Sequence, residues 1–430
     1  MPLWLDNTQD DFETAFARLL DAKRDQAQDV DQIVRSVVAD VRRQGDFALF
    51  ALTQRFDHFN LSIDNLKVGA AEIAAAKGAV STEALAALRF AAERIEVFHA
   101  RQKPHDDFFT DGAGVKLGLR WTPIDAVGLY VPGGLAAYPS SVLMNAIPAR
   151  IAGVGRIVAA TPAPGGKLNP LVLAAAELAG VHEIYRIGGA QAIAALAFGT
   201  PSIKPVDKIV GPGNAYVAAA KRQVFGTVGI ESIAGPSEVL IIADAHNDPA
   251  WIACDLLAQA EHDETAQSIL ITDDASFGKS VAAAVENELR TLARAQIARA
   301  SWQNHGAIIV VKALADVPAL ADRLASEHVQ IATRDPQALA DKIRHAGAIF
   351  LGAYTPEAVG DYVGGPNHVL PTERSARFSS GLGVADFMKR TTVLGCDASA
   401  LASLGPQAAT LADAEGLGAH ARSIRVRLNK

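Results

Sequence analysis

Apolar residues recur at helical spacing through the first hundred positions and at strand spacing after that. Asp11-Phe12-Glu13-Thr14-Ala15-Phe16-Ala17-Arg18-Leu19-Leu20 carries apolar side chains three and four apart. So do Val30-Asp31-Gln32-Ile33-Val34-Arg35-Ser36-Val37-Val38 and residues 85–99. A helical stretch is therefore predicted to about residue 110, with Gly45-Asp46 stopping one helix and opening the next. From Gly112 the period shortens, and Val115-Lys116-Leu117-Gly118-Leu119-Arg120-Trp121 alternates like a strand. Short apolar strands then enter turns and small-residue helices at residues 126–131, 156–160, 183–187 and 208–210. A second series of strands is read at residues 239–243, 268–272, 307–311, 329–332 and 348–351.

Strand, turn and helix in alternation predict parallel, doubly wound sheets with ligands at the carboxyl ends of the strands. The fold class is α/β: two Rossmann-like parallel-sheet domains, without a standard G-x-G-x-x-G, plus small helical segments at both ends. Residues 1–25 read as an amino-terminal helical arm and 26–235 as a first α/β domain with a helical lead-in. Residues 236–375 form the second α/β domain, and 376–430 a glycine-rich crossing segment and a helical tail. Two consecutive units of similar size point to an old duplication, although no residue-level repeat is visible.

Composition narrows the class. Half of the 430 residues are hydrophobic, aromatics are scarce, and the formal charge of −7 disfavours a nucleic-acid binder. Two widely separated cysteines, Cys254 and Cys396, exclude a disulfide framework and fit a reducing cytoplasm. Cys254, among apolar helical residues, reads as packing. Met1-Pro2-Leu3-Trp4-Leu5-Asp6 turns acidic at once, unlike a secretory signal. Arg150, Lys167 and Glu177 interrupt the longest apolar runs, so no membrane span is expected.

The candidate chemistry is made of nitrogen and oxygen donors. Leu256-Leu257-Ala258-Gln259-Ala260-Glu261-His262-Asp263-Glu264 ends an apolar helix opening near Asp248-Pro249. Gln259 and His262, three apart, fall on one helical face, where they serve either a metal ion or each other. Glu327-His328 stands at a helix-to-strand junction, an edge read as one where catalytic groups are placed. There His328 is a candidate base and Glu327 a candidate activator of water, against a solvated Glu beside a core His. Asp361 follows a turn and short helix as a hard ligand or a cap. Glu415 and His420, five apart across two glycines, do not form a helical pair; they share a loop or no site. His58, His99 and His105 read as surface or packing residues, and His368 has no assigned role.

Turns at Gly133-Gly134, Gly188-Gly189 and Gly211-Pro212-Gly213-Asn214 admit either phosphates at helix amino termini or close strand-to-helix packing. Tyr130, before the first pair, either stacks on a flat ring or fills the core. With no H-E-x-x-H, no G-x-S-x-G and no P-loop lysine, metalloprotease, serine hydrolase and NTPase readings lose support.

Six runs together closely resemble histidinol dehydrogenases. They are Gly128-Leu129-Tyr130-Val131-Pro132-Gly133-Gly134, Ile209-Val210-Gly211-Pro212-Gly213-Asn214-Ala215-Tyr216-Val217, Ala234-Gly235-Pro236-Ser237-Glu238-Val239-Leu240, Gln259-Ala260-Glu261-His262-Asp263, Gly365-Pro366-Asn367-His368-Val369-Leu370-Pro371-Thr372 and Glu415-Gly416-Leu417. Their order and spacing extend the likeness over nearly the whole chain. Gly383 and Ala385 stand where Ser and Leu are common in the family, outside any implied ligand. The resemblance implies two NAD-linked oxidations of L-histidinol through an enzyme-held aldehyde to L-histidine, the last step of histidine biosynthesis. It implies one Zn²⁺ per subunit on Gln259, His262, Asp361 and His420. Around the substrate it implies Ser237, Glu415 and His328 with those four ligands, and it implies NAD contacts from Tyr130, Gln191 and Asn214. Glu327 and His328 match the proton acceptors. The resemblance also implies a cytoplasmic homodimer whose tail completes the partner's site, with no nucleic-acid or membrane partner.

In that reading, His328 takes the hydroxyl proton in the first oxidation and Glu327 activates water to hydrate the aldehyde before the second. A same-scaffold dehydrogenase of another amino alcohol or diol, such as a sulfonated propanediol, is the nearest alternative. A zinc hydrolase without nicotinamide and a silent protein with structural zinc are more distant ones.

Overall fold

A computed structural model describes residues 1–22, 28–133, 138–233 and 235–428. Gly134, Ala234, Lys430 and the junction drawn between residues 25 and 26 lie outside the described residues. Five strands form one wholly parallel sheet: Ala126–Tyr130, Arg156–Ala160, Glu183–Tyr185, Lys208–Val210 and Gly229–Ile230. Their order across the sheet is third, second, first, fourth, fifth. Side chains alternate between its faces, as the strand period requires. Val127 and Leu129 join a core with Pro139–Ala152, Pro170–Ala179 and Thr82–Ala100, while Ala126 and Tyr130 join Gln28–Gln44, Gly189–Phe198 and Ala215–Val224. Helices on both faces explain why the central strand is buried at every position.

The second sheet repeats that winding. Glu238–Ala243, Gln267–Thr272, Ala307–Val310, His328–Ala332 and Ala348–Leu351 are also ordered third, second, first, fourth, fifth. Identical strand order in two successive units is the structural counterpart of the expected duplication.

Three local expectations need correction. The first residues are not a purely helical arm, because Leu3–Asp6 is a strand that pairs in parallel with Ala307–Val310 at the second sheet's edge. Leu5 and the helix Phe12–Asp21, through Phe12, Phe16 and Leu19, pack in one core with Leu240 and Ile269. Four residues are too few for alternation to show, and the pairing partner lies about three hundred residues away. Likewise, the lead-in and the tail are not helical throughout. Asp107–Thr110, Lys116–Pro123 and Met388–Gly395 make an antiparallel sheet, so the segment after the glycine-rich crossing returns to the lead-in. Finally, Cys254 is exposed rather than packed. Among the described residues no helix is long and apolar enough to cross a membrane.

The two parallel sheets are tied together by the 363–373 segment. Arg94 donates to the carbonyls of Val363 and Gly364, Asn367 donates to Met144 O at 2.6 Å, and Gly235 N–H donates to Thr372 Oγ1 at 2.6 Å. The tail helices Ala398–Ala414 and Gly418–Leu428 pack on each other through Ala409, Ala412, Ala421 and Ile424.

At the amino edge of the first sheet, Arg156 donates to Glu183 Oε1 at 2.8 Å and to the carbonyls of Lys204 and Pro205. Burial pushes the Glu183 carboxyl up, but hydrogen bonds from Arg156 and Tyr185 outweigh it and bring it down from 4.5 to about 2. A depressed carboxyl contributes stability above its unfolded value and loses it as pH falls through its folded value. Glu183→Gln should therefore lower stability at neutral pH. In urea unfolding, the gap to the unaltered chain should close between about pH 4.5 and 2.

Candidate active site

The strand pairing of the second sheet builds the site. His328 lies opposite Val239 on one side and Ala348 on the other, which sets Glu327 and His328 beside Glu238. The peptide of Glu238 then serves both residues. Its N–H donates to Glu327 Oε2 at 2.9 Å, and its carbonyl accepts from His328 Nδ1 at 3.0 Å. Ala325, just before them, holds a left-handed φ of 46° that ends the helix Val317–Leu324 sharply. Gly347 completes the fit on the other side, since a Cβ there would lie 2.5 Å from the Glu327 carbonyl oxygen. This junction is the amino edge of the sheet. The candidate pair Glu327-His328 therefore departs from the expectation of a site at the carboxyl ends, since it stands where its strand begins.

Carboxylates surround His328. Nε2 lies 3.5 Å from Asp361 Oδ1, and Nδ1 lies 3.7 Å from Glu327 and 4.0 Å from Glu357. Burial alone would lower the imidazole, but Glu357, Glu327 and Asp361 together hold it well above its ordinary value. Burial raises Glu327 to about 7 and Glu357 to about 8, opposed in each by His328. Burial pushes Asp361 up, but His328, with His368 and His262, outweighs it and holds the carboxyl below its ordinary value. Because Nδ1–H is held by the Glu238 carbonyl, the neutral ring presents Nε2 as its basic atom.

His262 feels Asp361 and His328 of this cluster from just past the end of the neighbouring helix, which carries Gln259. Asp248 caps Pro249–Ala260, and that helix packs against Glu357–Tyr362, which carries Asp361. The helix ends at Ala260, so His262 sits in the following turn and the expected helical pair is instead a helix end and its turn. Gln259 is fully buried, and neither its amide oxygen nor its nitrogen has a hydrogen-bond partner. Such an orphan is costly, so the satisfied-pair alternative fails. Burial lowers His262, opposed by Asp361, which favours the neutral, ligating imidazole. Amide oxygen, neutral imidazole and ionised carboxylate are a donor set that suits Zn²⁺. Among the described residues, no three His, Cys, Asp or Glu side chains stand arranged as a metal site. Of the expected set, His262 and Asp361 are the two of those types that lie close enough to influence one another.

The remaining expected residues divide. Ser237, half-buried, precedes Glu238 directly. Glu415 and His420 are exposed on the tail, and among the described residues no hydrogen bond or ion pair joins them to the cluster. His368 does acquire a place: Nδ1 holds the Asp361 carbonyl at 2.9 Å, and Nε2 lies 3.3 Å from Ser141 Oγ. Ser141 opens the helix after the first sheet's central strand, so the carboxyl edge of that sheet faces the amino edge of the second.

At that carboxyl edge the buried Tyr130 hydroxyl accepts from Gly189 N–H at 3.1 Å. Gln191 lies in the first turn of Gly189–Phe198, and Asn214 caps Ala215–Val224 through its Oδ1. The glycines resolve toward packing: a Cβ would strike Pro162 at Gly133 and Gly188, and the Tyr130 carbonyl oxygen at Gly211.

A family model described as histidinol dehydrogenase matches residues 20–428. The chain belongs to the histidinol dehydrogenase family. It is 62% identical over 431 residues to a histidinol dehydrogenase of Rhodospirillum rubrum, covering 100% of this chain and 99% of that relative. One from Rhodopseudomonas palustris is 62% identical over 430 residues, with both chains covered completely. A crystal structure of histidinol dehydrogenase from Elizabethkingia anophelis matches with a TM-score of 0.94 at 38% identity, over 99% of this chain and 98% of that one.

Inspection of the sequence missed Glu357 and the Glu238 backbone. Glu357 and Asp361 are four apart on one helix, a spacing that puts both carboxylates on one face and could have drawn attention to the pair. The orphaned amide gives this histidinol dehydrogenase relative a testable signature. Gln259→Leu should raise the metal-free protein's stability by about 1–3 kcal/mol, read by urea unfolding, while weakening zinc retention in a chelator competition.

Proposed function

We propose that the chain is a zinc-dependent, NAD-linked histidinol dehydrogenase that oxidises L-histidinol through the aldehyde to L-histidine. The strongest support is full-length family membership joined to a buried Glu–His pair beside an unsatisfied Gln259 amide. Gln259, His262 and Asp361 would hold zinc with the partner subunit's His420, and Tyr130, Gln191 and Asn214 would contact the dinucleotide. Zinc supplies a Lewis-acidic anchor for the substrate's imidazole and amine, and nicotinamide supplies the hydride acceptor for each oxidation.

The chain's own residues handle the protons. His328 accepts the hydroxyl proton at Nε2 in the first oxidation. In the metal-free protein, Asp361, Glu327 and Glu357 hold a proton on that ring. Were Asp361 to hold zinc, its carboxylate would no longer favour a proton on Nε2, and His328 would stand there as a base. Glu327 is anchored by Oε2 to the Glu238 N–H, so Oε1 activates the water that hydrates the aldehyde. Burial keeps its carboxyl at about 7, poised to take and return a proton near neutrality. Ser237 and Glu415 would position the substrate. Holding the aldehyde between the two oxidations protects it from side reactions.

The exposed tail fits a dimer in which Glu415 and His420 complete the other subunit's site. The chain would work as a cytoplasmic homodimer, with neither nucleic acid nor membrane as partner.

NADH formation from histidinol and NAD⁺, measured with and without a chelator, tests substrate, acceptor and metal together. Two NADH per histidinol are expected, and turnover of another alcohol with none of histidinol would overturn the reading. Glu327→Gln should spare oxidation of the alcohol and slow aldehyde-to-acid conversion about a hundredfold or more. Glu327→Gln and His420→Asn chains, each deficient in forming L-histidine, should regain part of that activity when mixed and reassembled, because one site in each mixed dimer then has neither substitution. No recovery would mean that each chain uses its own tail.

A further inference from the structure

A buried ion pair stands at the carboxyl edge of the first sheet, away from the acid–base cluster. Lys221, on Ala215–Val224, and Glu231, just past Gly229–Ile230, approach to 2.6 Å with side chains only 2% and 6% exposed. Together they bracket one residue. Glu231 Oε1 accepts from Gly211 N–H at 2.7 Å, and Lys221 Nζ donates to the Gly211 carbonyl at 3.2 Å. Gly211 has a φ of 112°, and a Cβ there would sit 2.1 Å from the Tyr130 carbonyl oxygen. Its place against the neighbouring strand end is therefore narrowly set.

Desolvating a lysine and a glutamate is costly, and an apolar pair of similar volume would pack a fold at least as well. Glu231 Oε2 is also buried without a partner, which adds to the cost. Apolar residues could not hold both backbone groups of Gly211. That residue begins the turn through Pro212 and Gly213 to Asn214, which caps the helix bearing Lys221. The pair, the turn and the helix thus form one closed loop of contacts at the sheet's switch point, where doubly wound sheets take their ligands.

We propose that Lys221 and Glu231 are positioning residues for the dinucleotide: they pin Gly211 so that Asn214 and Tyr130 stand ready for it. The proposal rests on the reading of this edge as the NAD site. It is tested with Lys221→Met, Glu231→Gln and the double variant, which leaves no uncompensated buried charge. Each should weaken NAD⁺ about tenfold or more, by KM and by direct titration of intrinsic fluorescence, with the KM for histidinol unchanged. Amide exchange over residues 211–217 should quicken in all three. A folded double variant with unaltered NAD⁺ affinity and exchange overturns the proposal, as does an equal rise in both KM values. If the unaltered chain does not bind NAD⁺, the reading of the edge fails instead, and exchange alone still reports whether the pair pins the turn.

Discussion

Parallel pairing of Glu238–Ala243 with His328–Ala332 sets the register on which the site depends. That register gives one peptide, that of Glu238, to both members of the acid–base pair: its N–H to Glu327 and its carbonyl to His328. A slip of one residue would turn each side chain to the opposite face of the sheet. The hydrophobic strand interiors prevent this, since Val239 and Ile241 belong to one core and Leu240 and Ile242 to the other. Packing of ordinary aliphatic residues therefore holds the position of the reactive ones.

The same region carries most of the molecule's electrostatic strain. Glu327, His328 and Glu357 are all deeply buried, and Gln259 keeps an unsatisfied amide beside them. None of this favours the empty fold. It is the cost the fold carries for keeping these groups out of water, the cost that the proposed zinc and substrate would offset. The opposed sheet edges fit that picture. The first sheet offers helix amino termini, suited to phosphates, while the second offers a negative pocket. The Ser141–His368–Asp361 contacts join the two.

Most of the scaffold was legible in the chain because short apolar runs and glycine turns report local conformation. The strands at residues 156–160 and 208–210 appear at their expected bounds. What escaped was non-local. Leu3–Asp6 and Met388–Gly395 are strands only because remote partners accept them. Asp361 and His262 could be named from the family's motifs, and the structure places them near one another. The ring of carboxylates that sets the proton state of His328 could not be named, because Glu357 becomes an active-site group only through burial. Periodicity placed Glu327-His328 correctly at a helix-to-strand junction, but it marks where a strand begins and not which end of a sheet meets a ligand.

The amino-terminal strand bears on how the molecule is made. Residues 3–6 are made about three hundred residues ahead of residues 307–310 and must wait for them before they can pair. At about 5–20 residues per second, the delay in synthesis is tens of seconds. Throughout that interval Trp4 and Leu5 travel as an unpaired apolar segment, and the second sheet cannot close its edge. The first sheet has all its strands by residue 230 and can form while the rest is still being translated. The two halves thus share a winding but not a timetable: the first has all its strands early, although its core waits for residues 369–387, and the second closes its edge late with residues 3–6.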